Sequence, residues 1–446
     1  MSAYYCDYMR RFGLIIILLL LTSMHLAAQQ RIFRTESFAY ETREQAEERN
    51  RDLCNRYLPL LPYAIEQVEG KHLLMSRFNV EHSWSDSEIY VHIENIGSAY
   101  TLLVNGKEVY SMEDSFTPAE FVITSFTHQG MNDLTIALRA SQHPELQQGL
   151  ASTPRPSMEN CYVVSRRKVG IRDFDVELRP DSLNRFGVLD LQLIVGNSFN
   201  YEEPLTVGYD IYSPSGKLLE YSVKEVTIEG RSTDTVRFTP YIYNTNQNRW
   251  GEGKVPLYTL TLYIKVGAVL REYIPMQIGF GKTEFIDGNI CRFGKPLKIK
   301  RTTLNASATL LETHTRITEL KKQGYNTFCP EYPQPDWFYS LCDRHGVYVI
   351  DRANINAPID REIRTVNGTP SNNPSLVDEY IERVKGMYYR SRNHSCIIAY
   401  ELGGASGNGY NMYKAYEWLK SVEKELPVIY SDADGEWNSD IVKNLE

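Results

Sequence analysis

Six acidic side chains stand close to the ends of predicted β-strands in the last third of the sequence. They are Glu331, Asp351, Glu401, Asp432, Asp434 and Glu436. In a barrel-type parallel sheet, the carboxyl ends of the strands form the face on which active sites lie. Two carboxyl groups on that face could serve as a general acid and a base or nucleophile. The alternative is that these acids are solvated or paired with basic residues, as carboxylates commonly are.

Other reactive residue types in the chain give weaker indications. Ser406 has no base at a recognisable spacing, so a nucleophilic serine is not expected. His394 is interpreted as part of the framework. The cysteines beyond the N-terminal segment show no CxxC pair and no Cys/His ligand pattern, which argues against a zinc site; disulfide pairing is left open. These cysteines are Cys54, Cys161, Cys291, Cys329, Cys342 and Cys396.

Strands and helices alternate from about Lys295 onward, and they must position the acidic residues. The predicted strands are Leu297–Arg301, Tyr325–Phe328, Val347–Ile350, Cys396–Tyr400 and Val428–Tyr430, and the predicted helices are Thr313–Lys322, Trp337–Arg344, Pro374–Tyr389 and Met412–Lys424. This alternation predicts a parallel sheet. A complete barrel of this type has eight strands, and we count five before Glu446. Five strands leave open edges, so we expect a partner chain, self-association or the chain's own β domains to cover them, unless the gene is interrupted.

Two β-rich regions precede the alternating region. A short helix is predicted at Glu41–Arg56, followed by strands from His72 to about Leu138, with an Asn105-Gly106 turn that favours a tight hairpin. The segment Ser141–Asn160 is predicted to be a long loop. Short, regularly spaced strands between Lys168 and Lys282 predict an immunoglobulin-like sandwich.

Composition and the N-terminus indicate where such a protein works. The net charge of -8 gives no basic excess for phosphate binding, so a nucleic-acid partner is not expected. Arg10 and Arg11, the apolar run Phe12–Leu21 and the small pair Ala27-Ala28 are typical of a secretory signal. We therefore expect a periplasmic or extracellular protein, with an uncleaved membrane anchor as the alternative.

Several stretches of the sequence resemble glycoside hydrolase family 2, the family of β-galactosidases. The most specific are Trp337–Asp351, Arg390–His394, Ser406–Gly409 and Trp418–Val422 in the barrel region, with weaker matches at Val104–Lys107, Thr117–Thr124, Trp250–Glu252 and Leu257–Leu260. The resemblance implies a multidomain β plus α/β protein. After the signal peptide, which its own residues place at 1–28, it would contain a galactose-binding-like jelly-roll β-sandwich at 29–167, an Ig-like β-sandwich at 168–285 and part of a TIM-type barrel at 286–446.

The resemblance also locates the family's catalytic positions in this chain. The acid/base glutamate follows Gly-Asn in the family motif Leu-Gly-Asn-Glu-Ser-Gly, and this segment is Leu402–Gly407 here. Ala405 therefore occupies the acid/base position, and Gly404 replaces an asparagine that contacts the sugar. The family's nucleophile lies near the end of the seventh strand, which the five predicted strands do not reach. The resemblance thus implies that no catalytic residue is intact.

The remaining pocket positions differ from the family pattern in the same way. The segment Thr303–Ala306 stands where the family has Asn-Arg-His-Glu. The arginine and histidine expected after the second strand fall near Phe328–Glu331, where the local length differs by one residue. Asn356 and Pro358 replace a metal-binding glutamate and histidine, so we predict no metal site and no cofactor. Glu331, Asn354, Asn356 and Gly404 are expected to face the pocket.

We therefore expect a non-catalytic glycosidase homologue that binds carbohydrate or serves as an interaction module. The alternative is an active retaining exo-glycosidase of the β-galactosidase type, using other carboxylates or carboxylates supplied by a partner. A decayed fragment without a distinct role is the third possibility. The sequence does not identify the sugar.

Overall fold

The computed structural model describes residues 31–68, 71–150, 156–251, 255–267, 269–358 and 361–441. The predicted signal segment and part of the loop at Ser141–Asn160 lie outside these residues. Two β-sandwiches and a parallel α/β sheet follow one another along the chain. The predicted fold class, jelly-roll plus Ig-like sandwich plus partial barrel, is confirmed. Within the described residues, no helix is long and apolar enough to cross a bilayer.

The first sandwich is built from ten strands in two five-stranded antiparallel sheets. These strands are β1 (Arg31–Ile32), β2 (Tyr57–Pro59), β3 (Pro62–Val68), β4 (Lys71–Val80), β5 (Ser87–Ile93), β6 (Ala99–Val104), β7 (Lys107–Met112), β8 (Ala119–Val122), β9 (Gly130–Arg139) and β10 (Tyr162–Arg167). The sheet orders are β1-β8-β5-β10-β2 and β3-β4-β9-β6-β7. The predicted hairpin is confirmed: Asn105 and Gly106 join β6 to β7 with φ angles of 50° and 74°, which a type I′ turn requires.

The only helix before the barrel in the described residues is α1 (Arg43–Glu48), which begins at the N-cap Thr42. It occupies the first half of the predicted Glu41–Arg56 helix. The chain then turns through Arg49, whose φ of 52° is left-handed, into a short 3-10 turn at Arg51–Leu53. Arg49 therefore ends the helix earlier than the polar pattern predicts.

The second sandwich packs two antiparallel sheets around an aliphatic core. Its strands are β11 (Val169–Pro180), β12 (Gly187–Asn197), β13 (Glu203–Tyr212), β14 (Leu218–Ile228), β15 (Ser232–Phe238), β16 (Tyr241–Ile242), β17 (Leu257–Val266) and β18 (Val269–Gly279). On β12, Leu189, Leu191, Leu193 and Val195 are fully buried and alternate with partly exposed residues. This period of two places one face of the strand in the core. A small sheet of β19 (Thr283–Ile286), β20 (Asn289–Arg292) and β21 (Lys295–Pro296) follows.

The barrel region contains five parallel strands in sequence order. They are β22 (Arg301–Thr303), β23 (Thr327–Cys329), β24 (Tyr348–Arg352), β25 (Ile397–Glu401) and β26 (Val428–Ile429), and the helices are α2 (Leu310–Lys322), α3 (Asp336–His345), α4 (Val377–Ser391) and α5 (Tyr410–Val422). Each predicted helix and the last four predicted strands are present, with shifts of a few residues at the ends, whereas the first predicted strand, Leu297–Arg301, shares only Arg301 with β22. For example, α2 begins three residues earlier than predicted because Thr309 and Glu312 form a capping box.

The second sandwich is fixed to the barrel by Trp250. Its side chain is fully buried, and its Nε1–H donates to the carbonyl of Asp343 at 2.8 Å. The ring contacts Tyr348 edge-on, and the guanidinium of Arg292 lies 4.7 Å from the ring centroid. This one side chain therefore provides apolar burial, a hydrogen bond and a cation–π contact between the two domains.

We expect Trp250→Phe to destabilise the protein by about 2–4 kcal/mol, because it leaves a buried carbonyl without its donor and creates a cavity. The unfolding midpoint in urea is the measurement. Trp437→Phe is the matched control, since Trp437 is 55% exposed and should change the midpoint little. Equal midpoints for Trp250→Phe and the wild type would contradict the assigned role.

Candidate functional site

The carboxyl ends of the five parallel strands meet at one edge of the sheet. β24 ends at Arg352 and β25 ends at Glu401, and these two residues are direct partners in the ladder. The loops after the strands carry the residues that the sequence places in the pocket: Glu331 after β23, Asn354 and Asn356 after β24, and Gly404 and Ala405 after β25. The fold therefore brings these residues to the same edge.

The loops after β24 and β25 are packed against each other at Gly404. Its N–H donates to the carbonyl of Ile355 at 2.8 Å. A Cβ at position 404 would overlap Oδ1 of Asn356 and lie 3.8 Å from Nη1 of Arg352. The space that a side chain would need at this position is thus filled by the Asn356 amide. Ala405, the next residue, is exposed and offers only a methyl group.

Glu401 lies below Ala405 as the last residue of β25, and it is only 6% exposed. Nε of Arg352 donates to Oε2 of Glu401 at 2.7 Å, and Nη2 of Arg352 is equally close to the same oxygen. The guanidinium therefore compensates the buried carboxylate. With this ion pair and only 6% of its area exposed, the Glu401 carboxylate is not accessible to a substrate at the mouth.

Glu331 is half-buried and exchanges hydrogen bonds with Asn305. The backbone N–H of Glu331 donates to Oδ1 of Asn305, and Nδ2 of Asn305 donates to Oε2 of Glu331, both at 2.9 Å. Asn356 adds a longer bond of 3.4 Å to the Glu331 carbonyl. These contacts link the loops after β22, β23 and β24.

Asn354 is predicted to face the pocket, but the structure buries it completely against the first sandwich. Its Nδ2 donates to Oδ1 of Asp114 at 2.6 Å and to Oε1 of Gln147 at 3.0 Å. Burial raises the pKa of Asp114. The charges of Arg383 and Arg31 and the hydrogen bonds that Asp114 accepts lower this pKa by more than burial raises it, so the net shift is downward. The Asn354 amide therefore donates its hydrogen bond to an ionised Asp114 inside the protein.

The backbone around Asn356 is held by the same part of the first sandwich. The N–H of Asn356 donates to the carbonyl of Leu146 at 2.7 Å, and its carbonyl accepts from the N–H of Gly149 at 3.0 Å. Leu146 is fully buried in the core cluster of the barrel. The first half of the predicted Ser141–Asn160 loop thus holds the loop after β24 in place through these two backbone hydrogen bonds.

Two of the acids after β26, Asp432 and Glu436, also have partners. Oδ2 of Asp432 accepts from the N–H groups of Ser406 and Gly407 at 2.9 and 2.8 Å, and Arg361 lies 3.3 Å from its other oxygen. Glu436 pairs with Arg364 and accepts from the Tyr413 hydroxyl. Asp434 caps a 3-10 turn with a left-handed φ of 50°.

Two further side chains are buried rather than placed at the mouth. Asp351 lies inside β24 with no exposed area, and Oδ1 accepts from the Tyr339 hydroxyl at 2.9 Å. Ser406 is also fully buried, and its Oγ accepts from the N–H of Ala357 at 2.9 Å. Neither group is accessible to a substrate at this edge of the sheet.

His394 lies away from the mouth, between two carboxylates. Nδ1 is 2.8 Å from Oδ2 of Asp343, and Nε2 is 3.1 Å from Oδ1 of Asp336. Burial alone would lower the pKa of His394, but the hydrogen bonds and charges of these two aspartates raise it to about 10. The histidine is therefore a buried cation that connects α3 to the segment before β25.

The residues at the family's metal position do not fit a magnesium ion. Hard cations prefer clustered carboxylates, whereas Asn356, Pro358 and Ala405 occupy this place. Elsewhere in the described residues, Glu36, His92 and Glu94 have ligand atoms within 4.8 Å of one another. Arg390 contacts both of these glutamates, so a guanidinium already provides the positive charge there.

Sequence reasoning missed two features of this edge. The Arg352–Glu401 pair could have been found from register, because both residues end neighbouring parallel strands. The contacts of Asp114, Leu146 and Gln147 with the loop after β24 leave no signal in the sequence, because they join residues more than 200 positions apart.

Two family models match this chain. One is described as "Glycosyl hydrolases family 2, TIM barrel domain" and covers residues 310–445. The other is described as "Glycosyl hydrolases family 2, sugar binding domain" and covers residues 55–146. The chain is also similar to the β-galactosidases of Pectobacterium atrosepticum (28% identity over 386 residues) and Priestia megaterium (26% over 388 residues). These matches cover 84% and 83% of this chain and 37% of each relative, so the chain spans well under half of their length.

Solved structures share the fold at lower identity. Bacteroides uniformis β-glucuronidase 2, covalently bound to cyclophellitol-6-carboxylate aziridine, matches with a TM-score of 0.68 and 17% identity over 81% of this chain and 46% of that one. A putative β-galactosidase from Bacteroides fragilis matches with a TM-score of 0.70 and 14% identity over 85% and 57% of the two chains.

The buried carboxyl of Asp351 makes a testable contribution to the pH dependence of stability. Burial raises its pKa to about 6, against about 3.9 in an unfolded chain. The protonated Asp351 carboxyl therefore contributes to the free energy of unfolding. This contribution is fully present below about pH 4, is lost as the pH rises to about 6, and remains absent at higher pH. We expect Asp351→Asn, which mimics the protonated carboxyl, to gain up to about 3 kcal/mol relative to the wild type between pH 4 and pH 8.

Urea unfolding at pH 4, 6 and 8 measures this difference. The matched control is Asp234→Asn, because Asp234 is exposed on the second sandwich and is solvated whether the chain is folded or not. A constant difference between Asp351→Asn and the wild type across this range would show that folding does not raise the pKa of Asp351.

Proposed function

Because this chain belongs to glycoside hydrolase family 2, we propose that it is an exported carbohydrate-binding member that does not cleave glycosidic bonds. The observation that carries the proposal is the methyl group of Ala405 at the acid/base position. Retaining glycosidases need two carboxyl groups about 5–5.5 Å apart, one of which protonates the leaving oxygen. A methyl group can neither donate nor accept a proton.

The surroundings of position 405 support loss of catalysis. The nearest strand-end carboxylate, Glu401, is bound to Arg352 at 2.7 Å and is nearly inaccessible. The amide of Asn356 fills the space over Gly404, where the family has an asparagine that contacts the sugar. Asp432 is occupied by two backbone N–H groups. A substitute acid would first have to be released from these contacts.

A carbohydrate ligand is supported by the family model described as a sugar-binding domain, which matches residues 55–146. The relatives named as β-galactosidases and β-glucuronidases support a β-linked sugar as the ligand. Loss of a proton donor removes the chemical step without removing the surfaces that contact a sugar, because binding and bond cleavage depend on different groups.

We expect the purified chain to release no chromophore from aryl β-galactoside, β-glucuronide or β-mannoside above a buffer blank, because it lacks the acid/base carboxyl. Continuous absorbance measurement from pH 4 to pH 8 is the assay. Glu401→Gln and Glu331→Gln are the matched variants, since each removes one carboxylate with little change in shape. Turnover by the wild type that either variant abolishes would overturn the proposal.

A second candidate function is favoured by the edges of the barrel sheet. In the described residues, β22 and β26 each pair on one side only, so a second polypeptide, or a further part of a longer protein, has backbone groups to pair with. Carboxylates supplied in this way, or Glu331 at the half-exposed rim, would make the chain part of an active retaining exo-glycosidase. Turnover that appears only in an isolated complex, and not with the purified chain, would identify this case.

Export rests on the sequence of the first thirty residues, which the structure does not describe. We expect the full-length chain to be cleaved after Ala28 and recovered outside the cytoplasm with Gln29 at its N-terminus, because residues 10–28 have the pattern of a cleavable signal. Intact mass and N-terminal sequencing of fractionated cells are the measurements. Leu18→Arg, which interrupts the apolar run, is the control and should remain uncleaved. An unprocessed wild type in the cytoplasm would contradict export.

A further inference from the structure

The strand β14 forms one edge of the second sandwich, and much of it faces solvent. It pairs with β13 on one side only, at the end of the sheet order β14-β13-β17-β18. Six of its eleven residues are exposed, including the apolar side chains of Tyr221 (64%) and Val223 (50%). An edge strand presents a row of backbone N–H and C=O groups, and a strand from another chain can pair with them.

The other two long edge strands of this sandwich are covered by the protein itself. On β18, Tyr273 exchanges two backbone hydrogen bonds with Tyr40, which precedes α1, both at 2.9 Å. On β11, the N–H of Val176 donates to Oδ1 of Asn393 from the barrel at 2.9 Å. Among the described residues, only β13 forms hydrogen bonds with the backbone of residues 219–227. The free edge of β14 therefore differs from the other two in having no cover from its own chain.

Two opposite charges lie on the core face of β14. Glu220 and Lys224 stand opposite Ile211 and Val207 in the ladder, and these two β13 residues are fully buried. Directly opposite residues of an antiparallel pair point to the same face, so both charges project from the core face at the rim of the sandwich. Nζ of Lys224 donates to the carbonyl of Arg237 at 2.5 Å, which leaves two of its three N–H groups for other acceptors. Glu220 is half-buried and has no cationic partner among the described residues.

Such charges oppose pairing with most strands, because an unpaired charge is costly to bury, but a second copy of β14 complements them. When two copies run antiparallel about a two-fold axis at Ser222, position 220 of each lies opposite position 224 of the other. Glu220 then faces Lys224 of the partner subunit, and this ion pair forms twice. The same alignment places Tyr221 opposite Val223 on the outer face, also twice. Opposite-charge pairs and pairs of an aromatic with a β-branched residue both stabilise neighbouring strands.

Other registers within β14 lack this charge complementarity. Because side chains alternate between faces, the core faces of the two strands match only when a residue lies on the two-fold axis. An axis at Lys224 or at Glu225 places two like charges opposite each other, and an axis at Val223 places Glu220 opposite Val226. The ladder with β13 is regular from Glu220 to the end of the strand, so the backbone around Ser222 has the geometry that pairing needs.

We propose that the protein forms a two-fold symmetric dimer in which β14 pairs antiparallel with β14 of a second copy, with Ser222 on the axis. The pairing joins the two β14-β13-β17-β18 sheets into one continuous sheet. A two-fold contact of this kind is closed, so association stops at two copies. The contact lies on the second sandwich and uses no residue of the barrel, so it holds whether or not the protein binds or cleaves a sugar.

Sedimentation velocity of the mature chain over about a hundredfold range of concentration measures the equilibrium between monomer and dimer. Lys224→Glu and Glu220→Lys each place like charges opposite each other at both ends of the contact. Mixed in equal amounts, these two variants restore both Glu–Lys pairs in a heterodimer. Lys107→Glu and Glu108→Lys are the matched controls, because these two charges are exposed on β7 of the first sandwich. Circular dichroism and the thermal unfolding midpoint confirm folding of each variant.

One pair of strands is a small interface compared with the about 1,600 Å² that is usual for stable complexes, so we expect a dimer that dissociates on dilution. Each β14 variant alone should weaken the Kd of the dimer at least about tenfold. The equimolar mixture and the two β7 controls should have the wild-type Kd. A wild type that stays monomeric throughout the concentration range would overturn the dimer. A dimer that both β14 variants leave unchanged would overturn the β14 contact, and a mixture of folded variants that stays monomeric would overturn the register at Ser222.

Discussion

The guanidinium of Arg390 connects three parts of the chain that are far apart in sequence. It pairs with Glu36 after β1 and with Glu94 in the first sandwich, and it donates to the carbonyl of Gln334 in the barrel. A buried charge without partners costs several kcal/mol, so this guanidinium is satisfied only when all three parts are in place. The contact therefore selects one arrangement of the domains. A cavity of about 980 Å³ between the domains, whose wall contains Arg390, depends on that arrangement.

The same requirement applies at the edge of the barrel sheet, which is the place of the proposed loss of catalysis. Arg352 compensates Glu401, and the N–H groups of Ser406 and Gly407 compensate Asp432. A general acid must pass its proton to a ligand, which needs a carboxyl that the ligand can reach. Contacts that occupy the carboxylate oxygens within the protein oppose this. A general acid at position 405 would have projected into the open mouth, and Ala405 has no group that titrates.

The sequence predicted the parallel sheet and both sandwiches because periodicity and turn chemistry are local. The Asn105-Gly106 hairpin and the helices of the barrel region follow from such patterns. The family motif fixed the register at Leu402–Gly407 and so identified Ala405. Asn354 was assigned to the pocket because it follows a strand, yet its amide is used by Asp114 and Gln147 of another domain. Contacts between domains depend on three-dimensional packing, which neither periodicity nor motif spacing encodes.

Binding and bond cleavage make different demands on this scaffold. Cleavage depends on a few atoms placed to within fractions of an ångström, and the proposed loss of catalysis therefore needs no more than the change of one side chain, at position 405. Binding depends on a shaped cavity with a few directed polar groups, and here the cavity arises from the way three domains pack. The contacts that hold the domains together, Trp250 to Asp343, Asn354 to Asp114 and Arg390 to Glu36 and Glu94, do not involve position 405. A chain without the acid/base carboxyl can therefore keep its assembled form and, with it, the surfaces that form where its domains meet.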